Sequence, residues 1–161
     1  MLTHIDEDGN AKLVDISNKD DSKRLSRASG KISMKKETLT LIQSQGHKKG
    51  DVLTIAKVAG IQAAKYTSNI IPLCHSINLT SIEVDFKIDE KDISVECIAT
   101  VKCYGQTGVE MEALSAVAVS LLTIYDMCKA ADKSMTIRNI RLIEKYGGNS
   151  GTWTSEEKTE T

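Results

Sequence analysis

Two consecutive stretches in the middle of the chain alternate apolar and polar residues. The first has apolar residues at every second position, namely Ile82, Val84, Phe86 and Ile88. The second runs through residues 93–101. A period of two is typical of strands with one buried face. The acidic segment between them, residues 89–92, predicts a turn, so we expect an antiparallel hairpin.

Two segments before the hairpin have helical spacing. Residues 37–45 predict a short helix that a glycine stops. Residues 52–66 carry apolar residues three or four positions apart, and Asp51 is placed to cap their N-terminus. Within this second helix Gly60 and Ala64 lie four residues apart, so a neighbouring backbone is expected to approach closely there.

Residues 109–125 are almost all Ala, Val, Leu, Ser or Thr, which predicts a helix buried on nearly every side. Its charged residues lie at the two ends. Glu110 and Glu112 in the first turn, and Lys129 in the last, have the signs that the helix dipole favours. Asp126 has the wrong sign for a C-terminus, and a buried carboxylate there is unfavourable unless Lys129, three residues later, pairs with it.

The spacing of two of these acids matters for function. Glu112 and Asp126 are 14 residues apart, which is about 21 Å along a straight helix. One small substrate does not easily reach both carboxylates within one chain. Either the chain has two separate polar spots, or neighbouring subunits bring the two ends of the helix together. The second alternative gives Asp126 a purpose and predicts a composite site at a subunit interface.

The order of the predicted elements matches a known supersecondary pattern. Residues 29–34 predict a strand before the first helix, and residues 135–144 predict a strand after the last. The alternation breaks between Arg138 and Ile140, which indicates a bulge or an edge position. The expected fold is therefore α+β, ferredoxin-like βαββαβ, with an antiparallel sheet and helices on one face.

The chain length predicts one domain. We expect a single catalytic domain over residues 1–161, with flexible ends at about residues 1–12 and 149–161. Between the first of these ends and the first strand, residues 13–17 predict a short extended segment and residues 18–27 a charged loop.

The charge and the start of the chain exclude several classes. With 21 basic and 22 acidic residues the net charge is -1, which gives no electrostatic footprint for nucleic acid or an anionic membrane. The polar, acidic start is neither a signal peptide nor a transit peptide. The longest apolar run is interrupted by Ser and Thr and is too short to span a bilayer. We therefore expect a cytoplasmic protein with no nucleic-acid and no membrane partner.

The cysteines and histidines do not predict a metal site. The four cysteines have no Cys-x-x-Cys pair and none of the spacings of a zinc site, and the three histidines are scattered. The cysteines are most simply buried thiols in a reducing compartment. We expect no protein-bound metal and no resident cofactor.

Three loops carry residues suited to phosphate or proton chemistry. Lys49 lies between glycines just before a predicted helix N-terminus, where free amides bind anions. His75 follows the only proline of the chain, which stiffens the segment and fixes the direction of the ring. Lys145 precedes a pair of glycines at the end of the last strand. On its own, each pattern more often belongs to a solvated loop or a structural residue.

Five segments together resemble one protein family. Their sequences are KGD, IQAAK, IPLCH, TGVEMEAL and LTIYDMCKA, at residues 49–51, 61–65, 71–75, 107–114 and 122–130. They resemble the cyclic pyranopterin monophosphate synthase family of molybdenum cofactor biosynthesis, and the resemblance runs from about Leu2 to Gly151. Ser76 and Lys48 depart from the family, in which proline and histidine are common at these positions.

The resemblance implies a lyase. The reaction converts (8S)-3',8-cyclo-7,8-dihydroguanosine 5'-triphosphate to cyclic pyranopterin monophosphate and releases diphosphate, with no cofactor, although a magnesium ion can accompany the triphosphate. The resemblance places Asp126, Lys129 and Lys49 at catalytic positions. The substrate-binding residues that it implies are Leu73, Cys74, His75, Glu110, Met111, Glu112 and Lys145. It also implies a homo-oligomer, a hexamer built as a trimer of dimers, in agreement with composite sites at the dimer interface.

The residue types suit this reaction. Expulsion of diphosphate builds negative charge, which Lys49, Lys145, and Arg24 or Arg27 can neutralise. A buried acid–lysine pair at the end of the long helix has displaced pKa values and can act as base and acid. In this hypothesis Lys129 or Lys49 is the acid, and the aspartate positions it or serves as the base.

Two other classes of function compete with this one. A non-catalytic small-ligand sensor with a ferredoxin-like fold would explain the lysines but not the acid at the C-terminus of the long helix. An RNA-binding module of the same topology stacks bases on aromatic residues, and aromatic residues make up only 4% of this chain.

Overall fold

The computed structural model describes residues 2–44, 51–149 and 151–155. The strands and helices, in chain order, are β1 (Ser22–Ser33), α1 (Lys36–Gln43), α2 (Val52–Ile70), β2 (Leu79–Asp89), β3 (Ser94–Gly105), α3 (Glu110–Cys128), β4 (Thr136–Tyr146) and β5 (Trp153–Thr154).

The strands form one antiparallel sheet in the order β2-β3-β1-β4-β5. Helix α3 packs against β1, β3 and β4, and α2 packs against α3 and β2, so the two long helices cover the same face. The α+β, ferredoxin-like prediction is therefore confirmed, including the hairpin of β2 and β3. The short strand β5, which pairs with the end of β4, was not predicted.

The first strand is longer than predicted. It begins at Ser22, so the predicted charged loop, residues 18–27, is mostly strand, whereas residues 13–17 form neither helix nor strand. Strand β1 pairs with β3 on one side and with β4 on the other. The hydrogen bonds and side-chain packing of these two ladders stabilise a strand here although Arg24 and Arg27 are charged. The alternation of a strand then places Arg24 and Arg27 on opposite faces.

Local signals for caps and bulges were read correctly. The side chain of Asp51 accepts hydrogen bonds from the backbone N–H groups of Leu53 at 3.1 Å and Thr54 at 3.3 Å, which caps α2 as predicted. The predicted irregularity in β4 is also present, because the register against β1 shifts there and Asn139 has a positive φ of 55°.

Helix α3 is the central helix of the core. Its buried residues pack against the sheet, but Leu122 is 56% exposed, so the prediction of burial on nearly every side is wrong for the outer side. By length and composition alone this 19-residue helix could cross a membrane, contrary to the prediction that the run is too short. Half of the residues in its apolar window are buried inside the fold.

The two long helices approach each other closely at Gly60, as its sequence position predicted. The hydroxyl of Ser120 on α3 donates to the carbonyl oxygen of Ala56 on α2 at 3.0 Å. A Cβ atom at Gly60 would overlap the Oγ atom of Ser120 and would lie 2.9 Å from the carbonyl oxygen of Ala116. Backbone and a short hydroxyl therefore occupy the space that a side chain needs.

We expect Gly60→Ala to lower the free energy of unfolding by about 2 kcal/mol, because overpacking outweighs the gain in helix propensity. The change is measured by denaturant unfolding. Gly105→Ala is the control, since no atom lies within 4 Å of a Cβ built there, and it should change the stability by no more than about 0.5 kcal/mol. Equal stability of the two variants would contradict the close helix contact.

Candidate functional site

Two cavities meet at the loop between β3 and α3. We call the first the cationic cavity, since Lys19, Arg24 and Lys145 line it, and its volume is about 570 Å³. We call the second the His75 cavity, and its volume is about 490 Å³. Thr107, Gly108 and Glu110 line both cavities, so the two are adjacent, and we refer to them together as the recess.

The cationic cavity is polar throughout. Its three cations face two acids, Asp20 and Glu110, and the remaining lining residues include asparagine, glutamine, serine and threonine. The Oγ atom of Ser22 is buried in this region without a hydrogen-bond partner among the described residues.

Arg24 is held at the floor of the cationic cavity. Its Nε atom donates to the carbonyl oxygen of Gly105 at 3.2 Å, and its Nη2 atom donates to that of Gln106 at 3.2 Å. Gly147 and Gly148 have positive φ values of 100° and 76°. A Cβ atom at Gly148 would overlap the guanidinium of Arg24. The glycine pair after β4 therefore provides space for this arginine.

Lys145 and Glu110 form an ion pair across the boundary between the two cavities. Their side chains are 29% and 26% exposed, so both are half-buried. Glu110 begins α3, where the helix dipole also favours an acid. An incoming anion would compete with this carboxylate for Lys145 and would find the ammonium already oriented.

Glu112 is the most unusual charged residue of the recess. It is only 3% exposed, and its Oε2 atom has no hydrogen-bond partner within the part of the chain that the structure describes. Its Oε1 atom accepts from the Sγ atom of Cys74 at 3.7 Å. Burial, and to a smaller extent the charge of Glu110, raise the pKa of the carboxyl group. It forms part of the wall of the His75 cavity.

Cys74 is not suited to nucleophilic chemistry. Burial and the neighbouring Glu112 raise the pKa of its thiol to about 11, so the thiol is protonated at neutral pH. The described cysteines are free, and three of them are buried as predicted, but Cys74 is only partly buried. Its thiol acts here as a weak hydrogen-bond donor to the carboxylate.

His75 lies in the second cavity together with Leu73 and Met111. Its Nε2 atom is 2.7 Å from the carbonyl oxygen of Val14. The contact with the N-terminal segment, and not only the preceding proline, therefore orients this ring. A backbone acceptor of this kind leaves no signal in the sequence.

Asp126 and Lys129 lie at the other end of α3. The Nζ atom of Lys129 is 2.7 Å from Oδ1 of Asp126, so the predicted pair forms. The side chain of Asp126 is 67% exposed and that of Lys129 is 55% exposed. The prediction of a buried pair is therefore wrong within one protomer. The hydrogen bond and charge of Asp126 raise the pKa of the Lys129 ammonium, which is therefore a cation at neutral pH.

Since α3 is continuous from Glu110 to Cys128, the acid–lysine pair lies about 20 Å from the recess in the same protomer. One further predicted residue, Arg27, also lies apart from it. Arg27 faces away from the two cavities and pairs with Glu144 at 3.2 Å. Lys49 lies outside the described residues.

Several residues of the cationic cavity do not follow from the sequence motifs. Lys19 lies just before β1 and Ser22 begins it, within the segment for which the sequence predicts a charged loop. If the alternation of β1 is followed back to residue 22, it separates the residues on one face of the strand from those on the other. That pattern is the signal that could place Ser22 on the same face as Arg24. Over residues 2–44, 51–149 and 151–155, no group of three or more His, Cys, Asp or Glu side chains could hold a metal ion.

Comparison with known proteins gives a consistent assignment. The MoaC family profile matches residues 13–148. A cyclic pyranopterin monophosphate synthase from Thermomicrobium roseum is 53% identical over 156 residues, which cover 97% of this chain and 94% of that protein. The proteins of the same name from Chloroflexus aggregans and Parvibaculum lavamentivorans are 54% and 55% identical and cover 98% and 93% of this chain, or 95% and 94% of their own lengths. The chain thus belongs to the MoaC family.

Proposed function

We propose that the chain is a cyclic pyranopterin monophosphate synthase, a lyase that converts the cyclised dihydro-GTP to the cyclic phosphate product and releases diphosphate. The observation that carries the proposal is a cationic cavity beside a second cavity whose wall contains a buried carboxylate with an unpaired oxygen. The first suits a triphosphate and the second suits the N–H donors of a guanine-derived ring. The names of the relatives support the same reaction.

Each half of the recess would bind a different part of the substrate. Arg24 and Lys145 are oriented before binding, by carbonyl oxygens and by Glu110, and they would neutralise the triphosphate. The unpaired Oε2 atom of Glu112 would accept hydrogen bonds from ring N–H groups in the His75 cavity. Such charged hydrogen bonds are worth about 1.5–3 kcal/mol each.

The bond changes need charge stabilisation and proton transfer. A hydroxyl oxygen of the substrate attacks the α-phosphorus, its proton goes to a base, and the bond to the β-phosphate breaks as diphosphate leaves. Lys145, Arg24 and Lys49 would stabilise the charge on the leaving diphosphate. Lys129 would supply protons as the general acid with Asp126 as its partner or as a base, during the rearrangement of the purine. A magnesium ion on the triphosphate is compatible with this scheme.

We infer that each complete site draws residues from two protomers of a homo-oligomer, a hexamer built as a trimer of dimers. The distance of about 20 Å along α3 supports this inference, because Asp126 and Lys129 do not reach the recess of their own protomer. A partner that covers the exposed pair would also remove water from it and move its pKa values toward those of a working acid and base. The proposed site is cytoplasmic and needs no nucleic acid or membrane.

The composite site predicts complementation between two inactive chains. We expect Asp126→Ala and Glu112→Ala chains to be inactive alone, and mixed oligomers to regain activity, because some of their sites combine two unaltered halves. For a dimeric site with random mixing, about a quarter of the sites regain both halves in this way. Diphosphate release is measured after subunit exchange has been confirmed by mass spectrometry. Exchange without any recovery would refute the shared site.

The reaction itself is tested by incubation of the purified chain with the cyclised dihydro-GTP. We expect diphosphate and the cyclic phosphate product in equal amounts over many turnovers. GTP is the control substrate, since it lacks the additional ring closure, and it should give no diphosphate. Tight binding of the cyclised compound with no diphosphate would instead favour a non-catalytic ligand sensor, the alternative function of this fold.

A further inference from the structure

The N-terminal segment, residues 4–16, is folded against the His75 cavity. His4 is part of the cavity wall. Ile5 and Ala11 form a β-bridge, and the N–H group of Lys12 donates to the carbonyl oxygen of His4 at 2.9 Å. The segment is therefore a closed loop with its own hydrogen bonds, and its far end continues to Val14.

The contact between Val14 and His75 assigns the imidazole proton. A carbonyl oxygen only accepts hydrogen bonds, so Nε2 of His75, 2.7 Å from the oxygen of Val14, must be the donor. In a neutral imidazole the second nitrogen, Nδ1, is then an acceptor. Nδ1 has no hydrogen-bond partner within the described ranges. The contact thus fixes both the ring orientation and the tautomer.

We propose that the N-terminal segment positions His75 for the reaction, because the carbonyl oxygen of Val14 holds Nε2 and leaves Nδ1 as the proton acceptor in the His75 cavity. This inference rests on the proposed function. The arrangement follows the general rule that a base is oriented by a third group that holds its other nitrogen. Val14 is a positioning residue through its backbone alone.

His75 and Glu112 both line the His75 cavity. An acceptor at Nδ1 of His75, in a cavity whose wall also contains the carboxylate of Glu112, suits a ligand rich in N–H donors. With the opposite tautomer the cavity would present one donor and one acceptor, and the match would be lost.

The test follows the imidazole proton by nitrogen-15 NMR without substrate, at about pH 9, where an ordinary histidine is neutral. In the full chain we expect the proton of His75 on Nε2, with slow exchange against water. A chain that lacks residues 2–15 should lose this slow signal. Its kcat for diphosphate release should fall about tenfold or more, with a smaller change in KM.

A second variant keeps the test decisive if the shortened chain does not fold. An ester in place of the peptide bond between Val14 and Asp15 retains every side chain but weakens the carbonyl as an acceptor, so the exchange of the His75 proton should become faster and kcat should fall. Glu7→Ala is the control, because Glu7 is exposed in the same segment and should leave both measurements unchanged.

Two results would overturn the proposal. One is a proton on Nδ1 of His75 in the full chain, and the other is unchanged exchange and kcat in the altered chains. If the full chain itself releases no diphosphate, the proposed function fails, whereas the proton assignment is still decided by the NMR signal.

Discussion

Replacement of Asp126 by asparagine is expected to lower kcat for diphosphate release by about 10²–10⁴-fold, the usual contribution of a general acid or base. The carboxylate lies 2.7 Å from Nζ of Lys129 and raises its pKa. Asparagine removes that charge, so the pKa of Lys129 should fall toward its ordinary value, and the alkaline limb of the pH–rate profile should move to lower pH. The side chain of Asp126 is 67% exposed within its own protomer, and asparagine keeps its shape where a partner covers it, so Tm should change little.

Asp85→Asn is the matched control for this variant. Asp85 forms an ion pair of the same kind with Lys57 at 3.4 Å, and these side chains are 72% and 46% exposed. Both variants should therefore have a similar small effect on Tm, but only Asp126→Asn should lose activity. If Asp126→Asn retains at least about half of the kcat, or if the control loses as much, then Asp126 has no part in the chemistry.

The order of the elements was readable from the sequence, because each depends on local periodicity. The alternation around residues 82–101 gave the hairpin, and the cap at Asp51 gave the start of α2. The first strand was misjudged since Arg24 and Arg27 make its alternation look like a solvated loop. Only pairing with β3 and β4, which are distant in sequence, makes this segment a central strand.

The candidate site was readable in its residue types but not in its geometry. Glu112 in the first turn of a helix looks like an ordinary acid near a positive dipole, and its burial depends on the packing of residues 71–75 against α3. Asp126 looked buried because its neighbours are apolar, but it lies on the exposed side of α3. Burial of single charges is set by tertiary contacts, which the period of a helix does not specify.

Glu112→Gln is expected to weaken catalysis and to stabilise the protein. Glutamine keeps the shape and an acceptor for Cys74, but it replaces the negative Oε2 by an amide that cannot accept N–H donors of the substrate. The loss of charged hydrogen bonds should lower kcat/KM by about 10²-fold. The free energy of unfolding should increase by about 1 kcal/mol at neutral pH, because a buried charge with an unpaired oxygen is removed.

The stability gain should depend on pH in a definite direction. Burial raises the pKa of Glu112 in the folded state, so the folded protein binds this proton more tightly than the unfolded chain does. The contribution of Glu112 is therefore fully present below its ordinary pKa of about 4.3 and is lost as the pH rises through the raised folded value. Glutamine does not ionise, so the free energy of unfolding of Glu112→Gln does not fall in this pH range for that reason. The variant should therefore be no more stable than the parent chain at about pH 4 and more stable at pH 8.

Glu110→Gln is the control for this gain in stability, because it removes another acid from the same turn of α3. Glu110 pairs with Lys145, so its replacement leaves a half-buried ammonium without its partner and should lower the free energy of unfolding rather than raise it. Both variants are unfolded by urea at the two pH values and at one protein concentration, because assembly contributes to the apparent stability. A Glu112→Gln protein with unchanged kcat/KM, or one whose stability relative to the parent is the same at both pH values, would refute a buried ionised carboxylate as the binding group for the ring.

Such a conflict between stability and binding is expected where a site is formed before its ligand arrives, since the unpaired oxygen that binds the substrate destabilises the empty fold.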